Sequence, residues 1–473
     1  MSLARRLISA GFSDLEKGER FLAAPELEGI DEDALFAGLS LSASPDTALQ
    51  SLVRLIEKNP GLKKLAAADP DTSEPMYRLL GASEALGGVS HATTGASGCL
   101  QCPGQPGAGP SFQRRAAGIA ASLRESRTGR STPGGRNHRL AGLRGLAERY
   151  RRGLTELAIK DICAASPTDF MPAVGAELAD LAGAAIEAAL AVSRAEAAAQ
   201  FDAAEISDVG LAVIGMGKCG ARELNYISDV DVIYVIEAGG ELDDARASTI
   251  GTALASGISR AISSSAPEPG LWEVDANLRP EGKSGPLVRT LPSHLSYYAR
   301  WAESWEFQAL LKARTIAGDR ELGQRYEKAV EPLVWASAGR EGFVESVQAM
   351  RRRVTDYIPA AEEQRQIKLG RGGLRDVEFT VQLLQLVHGK SDESLRCRDT
   401  TSAIAALSAG GYIGRTDAAA FDNAYRYLRL LEHRIQLFQL RRTTLCLSLR
   451  TPSASSPRPS SVRSHWSGHT LTN

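Results

Sequence analysis

Cysteine is scarce, and the scarcity excludes a fold built on disulfides. Six residues, Cys99, Cys102, Cys163, Cys219, Cys397 and Cys446, are scattered through 473, whereas small disulfide scaffolds carry dense, paired cysteines. Reduced thiols are the expectation. Cys99 and Cys102 form one close pair, but mainly Gly, Pro, Ser and Arg surround it, a poor setting for zinc or redox chemistry. An excess of charge of one sign is also missing. The 55 Lys plus Arg nearly balance 56 Asp plus Glu, for a net charge of -1, so no global field favours nucleic acid. Long hydrophobic runs are absent too. No stretch approaches the roughly 18 apolar residues of a membrane span, and no signal-like apolar segment follows Arg5 and Arg6. The expectation is a soluble cytoplasmic protein with neither a nucleic-acid nor a membrane partner. What the chain does have is 43% hydrophobic residues and, at about 100–200 residues per domain, enough length for two to four domains.

Organisation changes along the chain. Residues 1–86 read as an N-terminal helical region, with Leu49, Leu52, Val53 and Ile56 at helical spacing and Pro60 and Pro70 as breakers. Residues 87–146 hold eight Arg, no Lys and a single acid, Glu125, among Gly, Ser, Pro and Ala. That is low-complexity loop composition. No acid follows Glu432, and residues 443–473 read as a disordered tail. Arg without Lys or acid is also what out-of-frame translation of a GC-rich gene produces, so both segments are candidates for frame-shifted stretches. Between them, residues 147–328 read as a catalytic domain and 329–442 as a helical bundle. Residues 172–203 form an Ala-rich amphipathic helix opened by Pro172. Leu211–Ile214, Asp229–Ile236 and Leu271–Leu278 read as strands, and Phe421, Tyr425, Leu428, Leu431, Ile435 and Phe438 as a bundle helix. The fold class is α+β, a mixed sheet with flanking helices.

Gly215-Met216-Gly217-Lys218-Cys219-Gly220 matches G-x-G-x-x-G after a strand, yet only Ala221 to Ser228 separates it from the next strand. A dinucleotide fold needs a crossover helix there, so that reading fails. The spacing fits a phosphate-cradling turn followed by Asp229-Val230-Asp231. Strand parity puts both carboxylates on one face, with Val230 and Val232 toward the core. Side-by-side carboxylates repel, and a divalent cation resolves the repulsion. A bare D-x-D is often only a solvated strand end; the preceding glycine turn and a neighbouring strand with Asp275 strengthen the reading. Asp275 is either a third metal ligand or a strand-end partner of Arg279. Gly282-Lys283-Ser284-Gly285 is either a phosphate-binding loop or a plain turn. Trp305 to Arg314 reads as a helix with Gln308 and Lys312 on one face, where Lys312 or Arg314 would meet phosphate or sit in an ion pair.

The run from Val213 to Asp231 closely resembles the glutamine synthetase adenylyltransferase and adenylyl-removing enzyme family. So do Leu278-Arg279-Pro280 with Ser284 to Val288, the Trp305 to Arg314 segment, and Lys368 to Phe379. The four blocks stand in the family's order and span roughly residues 147–442. The resemblance implies a nucleotidyltransferase in which Asp229, Asp231 and Asp275 are catalytic and hold Mg2+. It also implies phosphate contacts from Gly217, Gly220 and Arg222, with Lys283, Lys312 and Arg314 as further candidates. Family members carry two such domains, and this one looks like the first, which removes AMP from an adenylylated tyrosine of glutamine synthetase by phosphorolysis, giving ADP. The implied partners are glutamine synthetase, the PII signalling protein, ATP or ADP, and phosphate. Transfer of AMP from ATP, or an inactive binding module, are the alternatives. Residues 329–442 resemble the helical domain that follows the catalytic core, and Arg371, Arg375 and Glu378 there serve either docking or packing. Two positions depart from the family: Cys219 stands where Leu is usual and Ala221 where Gly is usual.

Overall fold

The computed structural model describes residues 2–89, 135–263, 271–356, 358–359, 362, 365–441 and 445. The Cys99–Cys102 pair, most of the acid-poor segment and the tail beyond 445 lie outside the described residues. Residues 135–146 of the expected loop belong to the helix Gly135–Ile162, with Leu143 and Leu146 buried.

The N-terminal helices start where capping chemistry allows. Asp31, Ser44 and Asp69 each accept a hydrogen bond from a backbone N–H of the first turn, satisfying donors that the helix itself cannot. Pro70 opens the helix Pro70–Ala82, because a proline at the first position gives up an N–H that would be unpaired anyway. The helix Pro45–Lys58 buries Leu49, Leu52, Val53 and Ile56, as their spacing requires. The Ala-rich helix runs Pro167–Ala197, five residues earlier than expected. Pro167 is its opening proline and Pro172 lies inside it.

Strands β1 (Val209–Gly215), β2 (Val230–Ala238), β3 (Val274–Asp275), β4 (Val288–Thr290) and β5 (Arg314–Gly318) form a mixed sheet. Its order is β3-β2-β1-β5, with β4 also against β2. β1 is antiparallel to β2 and β5, while β3 and β4 run parallel to β2. Alternation divides the strands between two cores. Val209, Leu211, Val213, Val230, Val232 and Ile236 face the helices Pro167–Ala197 and Asp244–Ser263, in one core with the N-terminal helices. Ala212, Ile214, Ile233 and Val235 face Phe307, Leu322 and Tyr326. The expected strand Leu271–Leu278 shrinks to two residues, and the expected helix Trp305–Arg314 ends as Ser304–Leu310, leaving Arg314 to open β5. Among the described residues no helix is long and apolar enough to cross a membrane.

The helix Arg415–Gln439 differs from its apolar stripe in what it buries. Arg429, Glu432, His433 and Gln436 are buried with Tyr425 and Leu437, while Leu428, Leu431 and Ile435 are only half-buried. The reason lies in the loop it covers.

Candidate active site

β1 ends at Gly215, and the chain turns through Met216 into a single helical turn, Gly217–Gly220. The Met216 N–H donates to the Asp231 carbonyl at 2.8 Å, folding the turn back on β2. Gly217 has φ of +51°, a conformation that favours glycine, and a Cβ there would stand 2.8 Å from Asp231 Oδ2. The missing side chain therefore keeps open the space beside that carboxylate.

Asp231 faces Asp275 directly, because the parallel register pairs Val230 with Val274 and Asp231 with Asp275. Asp229 stands just before β2. Burial pushes the Asp231 carboxyl up to about 6, and the charges of Asp275 and Asp229 push the same way, against Arg375 and Lys368. Three acidic groups thus share one field. Asp275 Oδ1 accepts from the Asn277 N–H at 2.7 Å. Arg279 does not take Asp275 as its hydrogen-bond partner; its N–H groups go to the carbonyls of Ala276, Lys283, Gly285 and Pro286, bracing the turn after β3. Among the described residues no three His, Cys, Asp or Glu side chains are already drawn in as a metal-ligand set. The donor set nonetheless suits a hard divalent cation: carboxylate oxygens only, one of them destabilised by its neighbours, beside a glycine that leaves room.

The expected phosphate-binding residues divide. Gly217 adjoins Asp231. Lys283 is exposed on the short turn Gly282–Ser284. The other four lie at the far end of the turn and have structural partners. A Cβ on Gly220 would come within 2.0 Å of the Lys312 carbonyl, so this glycine serves close packing. Lys312 is buried in an ion pair with Glu223, 3.0 Å away. Arg314 donates to the carbonyls of Gly220 and Cys219 at 2.9 and 3.0 Å. Arg222, at φ of +59°, pairs with Asp180. Ala221 has an ordinary helical conformation, with φ of -73°.

Two cations that sequence reasoning left out of the site act on Asp231 instead, Lys368 and Arg375. The Arg375 N–H donates to the Lys368 carbonyl at 3.0 Å, which brings these two together across the intervening glycines. The glycine-rich break between two basic residues was the available signal. Lys218, also unassigned, is clamped to Glu432 at 3.0 Å. Burial and then the charge of Arg429 push its ammonium down to about 8, although Glu432 and Glu378 oppose the shift. Arg429 bonds to Glu432, to the Asn225 side chain and to the carbonyls of Glu223 and Leu224, and Gln436 accepts from the Ile227 N–H. The helix Arg415–Gln439 therefore buries a polar face because it covers a loop whose backbone groups need partners.

Comparison with known proteins agrees with this architecture. Residues 128–329 match the family model described as Glutamate-ammonia ligase adenylyltransferase, and residues 348–450 match that described as GlnD PII-uridylyltransferase. A protein of Leifsonia xyli subsp. xyli named bifunctional glutamine synthetase adenylyltransferase/adenylyl-removing enzyme is 50% identical over 430 residues, covering 89% of this chain and 42% of its own length. Proteins of the same name from Streptomyces coelicolor and Mycobacterium avium are 49% and 47% identical, over 93% and 87% of this chain and 42% and 39% of their own. The chain thus spans about two fifths of the length of these relatives. Over residues 128–329 the chain is thus similar to the glutamate-ammonia ligase adenylyltransferase family.

Proposed function

We propose that this chain is a cytoplasmic nucleotidyltransferase that removes AMP from an adenylylated tyrosine of glutamine synthetase by phosphorolysis. The observation that carries the reading is the pairing of Asp231 with Asp275 across β2 and β3, beside the open face of Gly217. Asp229, Asp231 and Asp275 would hold Mg2+, which supplies charge neutralisation at the phosphorus and its leaving oxygen. The chain's own residues do the rest. Lys368 and Arg375 add positive charge where the transferred phosphoryl group gathers negative charge, and Gly217 leaves space beside Asp231. An oxygen of inorganic phosphate forms the new bond to the AMP phosphorus, the bond to the tyrosyl oxygen breaks, and ADP and tyrosine result. The names of the relatives support glutamine synthetase as the protein substrate. The match of residues 348–450 supports PII as a partner of the helical region.

The test is release of ADP from adenylylated glutamine synthetase, which should require both phosphate and magnesium. Asp229→Asn or Asp231→Asn should lower it by several orders of magnitude, since each change removes a metal ligand. Thermal stability without metal should hold or rise in Asp231→Asn, because the native charge is already disfavoured. Undiminished phosphorolysis in either variant would remove the metal assignment. Transfer of AMP from ATP, with no phosphorolysis, would assign the opposite direction.

A further inference from the structure

At the far end of the glycine turn from Gly217 the described residues enclose a cavity of about 430 Å³. Neither the three carboxylates nor Lys368 and Arg375 line it. Five arginine residues do: Arg222, Arg314, Arg396, Arg398 and Arg429. Another wall is the weakly polar start of the helix Pro167–Ala197, near Met171 and Gly175.

Two carboxylates also reach the cavity, and both are already engaged. Glu223 accepts from Lys312 Nζ, the Thr400 N–H and the Tyr425 hydroxyl. Asp399 Oδ1 accepts from the Ser402 N–H and the Thr401 hydroxyl. Four of the five arginines carry ion pairs that fix their guanidinium groups in place, Arg222 with Asp180, Arg396 with Glu331 and Glu393, Arg398 with Glu327 and Arg429 with Glu432, and backbone carbonyls hold several of them as well. Arg314 is held by Cys219 and Gly220, Arg398 by Ala313, and Arg396 by Gly389, with Glu327 and Glu331 as additional partners of the last two. Arg429 is fully buried, so the arginines that an entering anion can reach are Arg222, Arg314, Arg396 and Arg398.

We propose that this cavity is an anion site for a phosphoryl group, separate from the carboxylate site. Guanidinium forks match phosphate oxygens in geometry and charge, and arginine cannot shed its proton to escape the crowding. The cavity is larger than one phosphate ion needs, and its less polar wall suits the body of a phosphorylated small molecule.

Calorimetric titration of the intact chain with inorganic phosphate, and separately with AMP, tests the proposal. Both titrations are run in EDTA, so that no cation bridges the carboxylates. At least one probe should bind, and Asp231→Asn should keep that binding. Ser402→Asp adds an anion at the cavity wall without removing an arginine, and should weaken binding about tenfold or more. Arg398→Gln should weaken it as well, a second variant in case the first perturbs folding. Tighter binding of AMP identifies a phosphorylated compound as the occupant, and tighter binding of phosphate identifies the free ion. No binding of either probe at millimolar concentration overturns the site, as does binding that Asp231→Asn abolishes and Ser402→Asp spares. The readout involves neither metal nor turnover, so its failure is distinguishable from failure of the proposed reaction.

Discussion

Gly217 and Gly220 stand three residues apart in one helical turn and answer to different constraints. At Gly217 a methyl group would meet the end of a side chain, Asp231 Oδ2 at 2.8 Å, in a left-handed conformation. At Gly220 it would meet backbone, the Lys312 and Gly215 carbonyls at 2.0 and 2.4 Å. A side chain can rotate away, and packed backbone cannot. Gly220→Ala should therefore destabilise the fold by about 3 kcal/mol or more, the upper range for overpacking. Gly217→Ala should cost roughly 1–2 kcal/mol for the left-handed conformation and should suppress phosphorolysis by displacing Asp231. Urea denaturation and turnover, measured on both variants, check the contrast. Equal stability losses would mean that the turn yields as a unit. Ala221, which stands where the family usually has Gly, sits at an ordinary φ, so its methyl adds no backbone strain there.

The buried ionic network between the glycine turn and the helices Leu374–His388 and Arg415–Gln439 gives those elements a pH dependence. Burial alone would push the Glu378 carboxyl up, but Lys218, Arg375, Lys312 and Arg429 outweigh it and hold the group at about 2. A carboxyl whose folded value is depressed contributes stability that is complete above its unfolded value, about 4.3, and lost as pH falls toward the folded value. Glu378→Gln should thus lower stability near neutral pH by on the order of 3 kcal/mol. The gap from the parent chain should begin to close below about pH 4.3. Denaturation curves from pH 7 downward test this, and a constant gap would mean that Glu378 acts through shape alone. Legibility in the sequence followed the same elements. β2 was readable because Val230 and Val232 alternate with Asp231, and parity fixed which side the carboxylate took. β3 was overestimated because Arg279 gathers the carbonyls that follow it and ends the pairing. Ala309 to Arg314 has helical composition, but Thr315 and Ile316 draw Arg314 into the ladder with β1. The polar burial on Arg415–Gln439 could not be read locally, since its cause lies about 200 residues earlier in the loop it covers.

At the scale of the molecule, one carboxylate joins parts of the chain that the sequence keeps far apart. Glu223, in the loop after the glycine turn, accepts from Lys312 just before β5, from Thr400 at the start of one helix and from Tyr425 within another. Each donor is buried, so none can turn to water if Glu223 is lost. The sheet and the C-terminal helices should therefore open together. In hydrogen exchange, the slowest amides of β2 and of the helix Arg415–Gln439 should report opening free energies within about 1 kcal/mol of each other. Glu223→Gln keeps the size of the side chain but leaves the Lys312 ammonium buried without its counter-ion, a loss of about 3–5 kcal/mol. Lys312 is anchored on the sheet side, whereas Thr400 and Tyr425 belong to the helices. Weakening their shared acceptor loosens the attachment between the two as well as lowering the total. The helix amides should then fall below those of β2 by roughly 2 kcal/mol, because the helices can leave while the strand ladder persists. Equal decreases in both elements would show that the attachment does not depend on this carboxylate, and unchanged exchange would show that Lys312 finds another partner.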